Sequence, residues 1–385
     1  MRFHLVPVFV LAGMMTCAFG QESKKTDDVK PPSPSQSKPA TEAEKLKGRR
    51  VMVIDEGAEI RTRENGVVWR AYLGETLTVS LVNQDWLWIF ERQGWLHVSK
   101  IVPFETAVYE MNARIKKSRR AENFGLRGIA HLNQGDVKAA IKDFNEVIRR
   151  NPNDPNAYVN RGNAYREQGQ FKKAIDDYSK AVNLDNDHFL AMHNRALLQT
   201  QLEKYDLALK DLNAAVLLNQ EYPEAHNARG DVYQLQDRYE EAEKEFTQAI
   251  KLYPRYADAY INRAAVRIEL EKYDDARKDY SQATLLAPDD ASGMNDFAWF
   301  LATCPDKEFR NGDRAVDIAT TAVELTRERD WSSLDTLGAA YAEAEKFAQA
   351  ERFAEKARKL APEEEQDVVK RHLSTYKKRK PIRSR

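Results

Sequence analysis

Hydrophobic and polar residues recur through the middle of the chain with a period of 34 residues. Five segments, starting at Ala121, Pro155, Phe189, Pro223 and Ala257, align end to end without a gap. Counted from each start, position 8 holds Gly128, Gly162, Ala196, Gly230 and Ala264, and position 20 holds Ala140, Ala174, Ala208, Ala242 and Ala276. Position 24 holds Phe144, Tyr178, Leu212, Phe246 and Tyr280, and position 27 holds Val147, Ala181, Ala215, Ala249 and Ala283. Positions 4, 8 and 11 share one helical face, as do 20, 24 and 27. The pattern therefore predicts two helices per segment. Small residues at 8 and 20 let them approach, and larger ones at 4 and 24 fill the space beside them. Pro152, Pro254 and Pro288 at position 32 end the second helix. Asn186 and Gln220 stand there in the other two segments, where the turn is less sharply defined. One such unit cannot bury its own apolar face, so the units must stack.

The period continues less regularly. A sixth segment begins near Ala291, but its position-20 alanine, Ala315, comes five residues late. The insertion falls around CPDKEFRNG, which Pro305 and Gly312 mark as a loop. A seventh segment, Trp331–Glu364, returns to register with Gly338, Ala350, Ala357 and Pro362. A last helix near Gln366–Lys377 is expected to cap the stack. At the other end, AVYEMNARI (Ala107–Ile115) parallels AIKDFNEVI (Ala140–Ile148) and reads as an orphan second helix covering the first repeat.

Residues 50–104 have a different period. Runs Val51–Asp55, Val67–Leu73, Thr76–Val82, Trp86–Glu91 and Trp95–Ile101 alternate with Gly66, Gly74, Gly94 and the turn Asn83-Gln84-Asp85. They predict a small β-barrel. Trp86, Trp88 and Phe90 share one face and Leu87 and Ile89 the other. One face is core; the first is either a ligand face or partly buried.

The stretches FGLRG, YVNRGNAY, HNARGDVY and YINRAAV, with their downstream alanines, resemble the tetratricopeptide repeat over 121–290 and, less regularly, 291–364. MNDFAWFLATCPD and the segment after it resemble the closing part of exported bacterial proteins of that family. DWLWIFERQ and GWLHV resemble the end of a bacterial SH3-like domain. Together these imply a mainly α fold: a right-handed tetratricopeptide α-solenoid of about seven hairpins, preceded by a small SH3-like β-barrel. The expected order is a signal peptide at 1–20, a Pro/Ser-rich linker at 21–49 and the barrel at 50–104. A linking helix follows at 105–120, then the solenoid at 121–364 and a capping helix with a basic tail at 365–385.

The opening MRFHLVPVFVLAGMMTCAFG has a basic residue, a short apolar run and small residues before QESKK, the pattern of a cleaved export signal. Lipidation at Cys17 and retention as an anchor are the alternatives. No later stretch is apolar enough to span a membrane. Export places the protein in the periplasm or cell envelope, or makes it secreted. KPPSPSQSKPA (Lys30–Ala40) reads as a disordered spacer. Cys304, left alone by cleavage, reads as a small buried hydrophobe.

Acidic and basic residues balance at 60 each, which gives no sign of nucleic acid as a partner. Basic clusters lie at Arg114–Arg120 and Lys377–Arg385; the tail reads as solvated, with contact to anionic envelope surfaces as the alternative. Phosphate loops, HExxH, paired-cysteine spacings and nucleophile elbows are missing from the sequence. His188, His193 and His226 read as packed rather than as metal ligands. No cofactor and no catalysis are expected. Position 7 is Arg127, Arg161, Arg195, Arg229 and Arg263, and position 23 is Asp143, Asp177, Asp211, Glu245 and Asp279. Both disappear in the last two repeats, so an ion pair between the two helices of each earlier repeat is expected.

Positions 2, 5, 9 and 12 of the first helices should line a concave surface. The second repeat supplies Asn156, Val159, Asn163 and Arg166, and the third His193 and Leu197. The fourth supplies Glu224, Asn227, Asp231 and Gln234, and the fifth Asp258, Ile261 and Ile268. Such a lining suits an extended peptide or a partner helix. The known carboxylate clamp of the resembled family is not expected, because Val159, Leu190 and Gly125 stand where it needs cations or their partners. The expected function is a non-catalytic protein-binding scaffold of the bacterial envelope. A peptidoglycan-binding module acting through the barrel and an enzyme with an unrecognised site are the alternatives. The sequence names no partner, pathway or oligomeric state.

Overall fold

The computed structural model describes residues 43–55, 58–62, 67–71, 75–89 and 94–384. The export signal, the Pro/Ser-rich spacer, Cys17 and Phe90 lie outside them. The chain divides into two compact units, meeting in sequence between Leu198 and Gln199.

The first unit opens with strands β1 (Arg50–Val53), β2 (Ala58–Arg61), β3 (Val67–Ala71), β4 (Thr76–Asn83), β5 (Trp86–Ile89), β6 (Gly94–His97) and β7 (Ile101–Pro103). They form one antiparallel sheet in the order β3-β2-β6-β5-β4-β1-β7, curled as a half-barrel. The expected small β-barrel is present in this half-barrel form: among the described residues no ladder joins the edge strands β3 and β7. Val51, Val53, Ile60, Leu77, Val79, Leu87, Ile89 and Leu96 bury on its inner face. The strand β2 went unrecognised because it is short and alternates with charged residues; only Ala58 and Ile60 point inward. The run Trp95–Ile101 breaks where the His97 side chain accepts from the Ser99 amide and starts a 3-10 turn. Ala43 and Leu46 also bury in this core, so the domain begins inside the stretch read as linker.

Helix α1 (Ala107–Lys117) follows, then α2 (Ala121–Asn133), α3 (Val137–Arg150), α4 (Pro155–Glu167), α5 (Phe171–Leu184) and α6 (Phe189–Gln201). Met111 of α1 packs with Leu126 and Ala130 of α2, as expected of a covering helix. The second unit holds α7 (Tyr205–Leu218), α8 (Pro223–Leu235), α9 (Tyr239–Leu252), α10 (Ala257–Glu269), α11 (Tyr273–Leu286), α12 (Ala291–Thr303), α13 (Gly312–Leu325), α14 (Trp331–Glu343), α15 (Phe347–Leu360) and α16 (Gln366–Lys377). The fold is mainly helical, a solenoid of tetratricopeptide repeats.

Local chemistry sets the ends. Asp154 accepts from the amides of Asn156 and Ala157 at 3.0 and 3.4 Å, and Pro155 opens α4. Asp136 and Asp290 cap α3 and α12 the same way. The turn between paired helices uses a left-handed residue at position 15: Gly135, Gly169, Glu203, Asp237, Glu271 and Glu345, with φ from 57° to 83°. Close approach at position 8 is literal. A Cβ added to Gly128, Gly162 or Gly230 would lie 2.6–2.7 Å from the ring of Phe144, Tyr178 or Phe246.

The sixth-repeat insertion is tied down. Arg310 donates to the carbonyls of Cys304 and Pro305 at 2.7 and 3.0 Å and to Glu343 at 2.8 Å. Gly312, read as loop, starts α13, and a Cβ there would sit 2.5 Å from the Ala344 amide nitrogen. Cys304 is buried among apolar neighbours. The C-terminal basic stretch is not solvated throughout: Ile382 packs against the apolar clusters of the last repeats.

Candidate partner-binding surface

Two sets of polar side chains project from the first helices of the repeats. One set faces the paired helix. Arg127 grips Asp143 with Nε and Nη2 at 2.7 and 2.6 Å, and Arg161 grips Asp177 at 2.8 and 2.7 Å. Arg263 grips Asp279 at 2.8 and 2.7 Å, and Arg229 Nη2 lies 2.7 and 2.8 Å from the two oxygens of Glu245. These are the expected ion pairs, and they are largely buried. The arginines make a further contact that the helix-to-helix pairing does not imply. The remaining nitrogen, Nη1, reaches back to the preceding second helix: Arg127 to Asn112 at 2.7 Å, Arg161 to Asn145 at 2.7 Å, and Arg195 to Ser179 at 3.0 Å. Arg229 reaches Asn213 at 2.9 Å and Arg263 reaches Thr247 at 3.1 Å. Position 25 is a small polar residue before each of these arginines, but Ser281 stands there before Phe297 too, so the position alone does not mark the contact. Each arginine thus joins its own hairpin to the one before.

The pairs also fix protonation. Hydrogen bonding to Asp143 and to Asp177 raises the pKa of Arg127 and Arg161. Burial pushes Glu245 up, but hydrogen bonds from His226 and Arg229 outweigh it and hold the carboxyl below its ordinary value. His226 lies 2.8 Å from Glu245, and His188 is buried with Nε2 at 3.2 Å from Asn156 Oδ1.

The second set is the proposed lining. In the first unit Asn163 Oδ1 accepts from Tyr178 at 2.7 Å and from Asn194 Nδ2 at 3.1 Å. Asn156 is exposed, and Arg166 and Leu197 are half-buried. Val159 and His193 are corrected: both are buried, Val159 in an apolar cluster with Tyr178 of its own hairpin and Ala191 and Leu198 of the next helix, which leaves it no room for solvent.

In the second unit Asn262 Nδ2 donates to Asp231 Oδ1 at 2.9 Å and to Asn227 Oδ1 at 3.3 Å, while Asn227 Nδ2 lies 3.3 Å from Asp231 Oδ2. Glu224, Asp231, Gln234 and Asp258 stay partly exposed. Asn227 is buried, and Ile261 and Ile268 pack against the core of the last repeats, so these three support the surface rather than line it. Asn194 and Asn262, at position 6, join the surface although only positions 2, 5, 9 and 12 were assigned to it.

This second surface is rich in carboxyl groups that resist ionisation. Burial pushes Asp231 up to about 7, with Asp258 adding to the shift. Burial, then Asp290, raises Asp258. Asp296 also rises to about 7 through burial; a hydrogen bond from Asn295 opposes the rise and Asp290 adds to it. On the sheet, Trp86 is 37% exposed, Trp86 meets His97 edge-on at 5.0 Å, and Trp88 meets Trp95 at 5.2 Å. Leu87 and Ile89 are the core side.

No group of three or more His, Cys, Asp or Glu among the described residues is arranged to hold a metal ion. No helix among them is long and apolar enough to cross a membrane.

Residues 126–188, 223–256 and 245–278 match family models of the tetratricopeptide repeat. No curated protein matches the chain. Among solved structures, the APC/C hetero-tetramer Cut9–Hcn1 is similar at 20% identity with a TM-score of 0.55, over 62% of this chain and 46% of that one. The chain therefore spans less than half of that structure's length. Yeast Tom70 aligns at 19% identity and a TM-score of 0.48, over 71% of this chain and 58% of that one. YrrB, described as a protein with an unusual peptide-binding site, aligns at 21% identity and a TM-score of 0.40, over 50% of this chain and 97% of that one.

Proposed function

We propose that the protein is a non-catalytic scaffold of the bacterial cell envelope that holds an extended peptide or a helix of a protein partner on the inner faces of its repeats. One observation carries the reading. Asn163 with Asn194, and Asp231 with Asn227 and Asn262, are fixed by hydrogen bonds to one another while Asn163, Asn194, Asp231 and Asn262 stay partly exposed. Side-chain amides held in place in advance lose little freedom when a partner's main chain binds to them. The envelope location rests on the amino-terminal pattern of residues 1–20 alone. The test is a photo-crosslinking amino acid placed at Asn163 or Asp231, with Lys180 and Lys251 on the second helices as controls. Crosslinks to a partner concentrated at 163 or 231 support the reading; equal yield at the controls defeats it.

The Trp86 exposure favours a second reading, a ligand face of an SH3-like module on β5 and β6. Full-length protein carrying Trp86→Ala and Trp88→Ala should then lose retention on purified cell wall. Retention equal to that of the parent, or none by either protein, rules this second reading out.

A further inference from the structure

We infer that the C-terminal ends of α12 and α14 form a peptide-docking site, occupied in this chain by its own segment Arg379–Ser384. The ligand class is an extended segment in which an aliphatic residue is followed by arginine and a small hydroxyl residue. The site lies on the sixth and seventh repeats, apart from the asparagine and aspartate surfaces described above.

The tail is turned back by local chemistry. After α16, the amides of Lys378 and Arg379 donate to the carbonyls of Thr375 and Tyr376 at 3.1 and 2.8 Å, and the Lys380 amide donates to Thr375 at 3.2 Å. Arg379 is left-handed, with φ 52°, and Pro381 bars further helix. The chain then runs without regular structure and makes three kinds of contact in three residues. Ile382 packs against the apolar clusters of the last repeats. Arg383 Nη1 lies 2.7 Å from Glu343 Oε2, whose other oxygen takes Arg310. The Ser384 amide donates to the Thr303 carbonyl at 2.9 Å, and the two hydroxyls lie 2.6 Å apart.

Thr303 and Glu343 are the last residues of α12 and α14. Helix ends leave carbonyls without helical partners, and here the tail supplies one of the missing donors. An apolar contact, a charge pair and a main-chain bond on successive residues are the means by which extended peptides are recognised. Three features mark the segment as a ligand rather than core. It follows a helix already closed, Ile382 is only partly buried, and Arg383 is exposed.

A tethered segment has an effective concentration of about 1 mM, so it suppresses a free peptide of ~100 μM affinity about tenfold. The probe is a fluorescent peptide of residues 378–385, followed by anisotropy. The full-length chain is compared with a chain ending at Lys378. The ended chain should bind the peptide at least tenfold more tightly than the full chain, and the peptide carrying Ile382→Asp should bind neither. Equal binding to both chains, or no binding to the ended chain, overturns the inference. A full-length variant with Ile382→Asp and Arg383→Glu keeps the tail's length. It should stay folded by circular dichroism and accept the peptide as the ended chain does. Unfolding of both altered chains would show the segment to be core, and would overturn the inference equally.

Discussion

Removing Arg161 separates the two roles of the position-7 arginine. Its fork holds Asp177 at 2.8 and 2.7 Å on α5, and its third nitrogen holds Asn145 at 2.7 Å on α3. The side chains of Arg161 and Asp177 are 19% and 8% exposed, so Arg161→Ala leaves a nearly buried carboxylate without its cation. Breaking one side of such a pair costs about 3–5 kcal/mol. The partial exposure places Arg161→Ala near the lower end, about 3 kcal/mol. Asp177→Ala should cost less, because the freed guanidinium reaches solvent through its exposed edge. Asn145 is exposed, so Asn145→Ala should cost only about 0.5–1 kcal/mol, the worth of one ordinary hydrogen bond. Arg161→Lys keeps the charge but loses the fork and should fall in between. The assay is urea unfolding of the single and double variants, with native-state hydrogen exchange of α4 and α5 as a local readout. The cycle of Arg161 with Asp177 should show coupling of about 2 kcal/mol or more, and that of Arg161 with Asn145 about 0.5 kcal/mol. Coupling below about 0.3 kcal/mol in the first cycle would mean that the arginine packs through its methylenes alone, and would refute the ion-pair account.

Other expectations are independent of that pair. Gly162→Ala puts a methyl group 2.6 Å from the Tyr178 ring and should cost about 1–3 kcal/mol; Tyr178→Leu in the same chain should return part of it, and an unchanged melting temperature for Gly162→Ala would contradict the close approach. Glu271 adopts φ 57°, a conformation costing about 1–2 kcal/mol for a side-chain-bearing residue, so Glu271→Gly should raise the melting temperature slightly despite the greater freedom of unfolded glycine; a fall would contradict the strain. Asp231 has a folded pKa raised to about 7, against roughly 4 in an unfolded chain, so the folded state holds an extra proton between those values. Its contribution therefore weakens stability progressively as pH rises from about 4 to 7 and is constant above that. Asp231→Asn should be the more stable protein at pH 8 and should lose that advantage by pH 4; parallel stability profiles for the two proteins would contradict the raised pKa.

How much could be read in advance depended on whether a residue's role repeats. Gly162, Ala174 and Tyr178 occupy positions whose neighbours recur every 34 residues, so their packing was legible. The capping helix near Gln366–Lys377 was legible for a related reason: the last repeat leaves an apolar face that something must cover, and α16 covers it. The left-handed turn at position 15 was visible only where glycine marks it, at Gly135 and Gly169; four acidic residues adopt it elsewhere without a local signature. Val159 and His193 were assigned to an open surface by helical angle alone. Angle does not reveal how closely neighbouring helices stand, and for Val159 it is the packing of Ala191 and Leu198 of the next helix that helps bury it. The tail failed for the opposite reason. Its composition is that of a solvated segment, and nothing in KKRKPIRSR indicates that Glu343 and Thr303 converge to receive Arg383 and Ser384.

The repeats carry two carboxylate populations with different surroundings. Asp143, Asp177, Glu245 and Asp279 are each gripped by an arginine of their own repeat, and those arginines extend to the preceding hairpin. Their charge is spent on stacking. Burial raises the pKa of Asp231, Asp258 and Asp296, and the neighbouring carboxylates Asp258 and Asp290 add to it. A chain selected only for stability gains nothing by burying like charges together. The clamp is absent where the last two repeats carry Phe297 and Leu337 at position 7, yet those hairpins still pack, through a larger continuous core around Phe297, Leu301, Leu334 and Leu337. Stacking by arginine is therefore one of two solutions used along the same chain. The polar solution accompanies smaller separate clusters around Phe144, Tyr178 and Phe246, where the apolar one builds a single larger core.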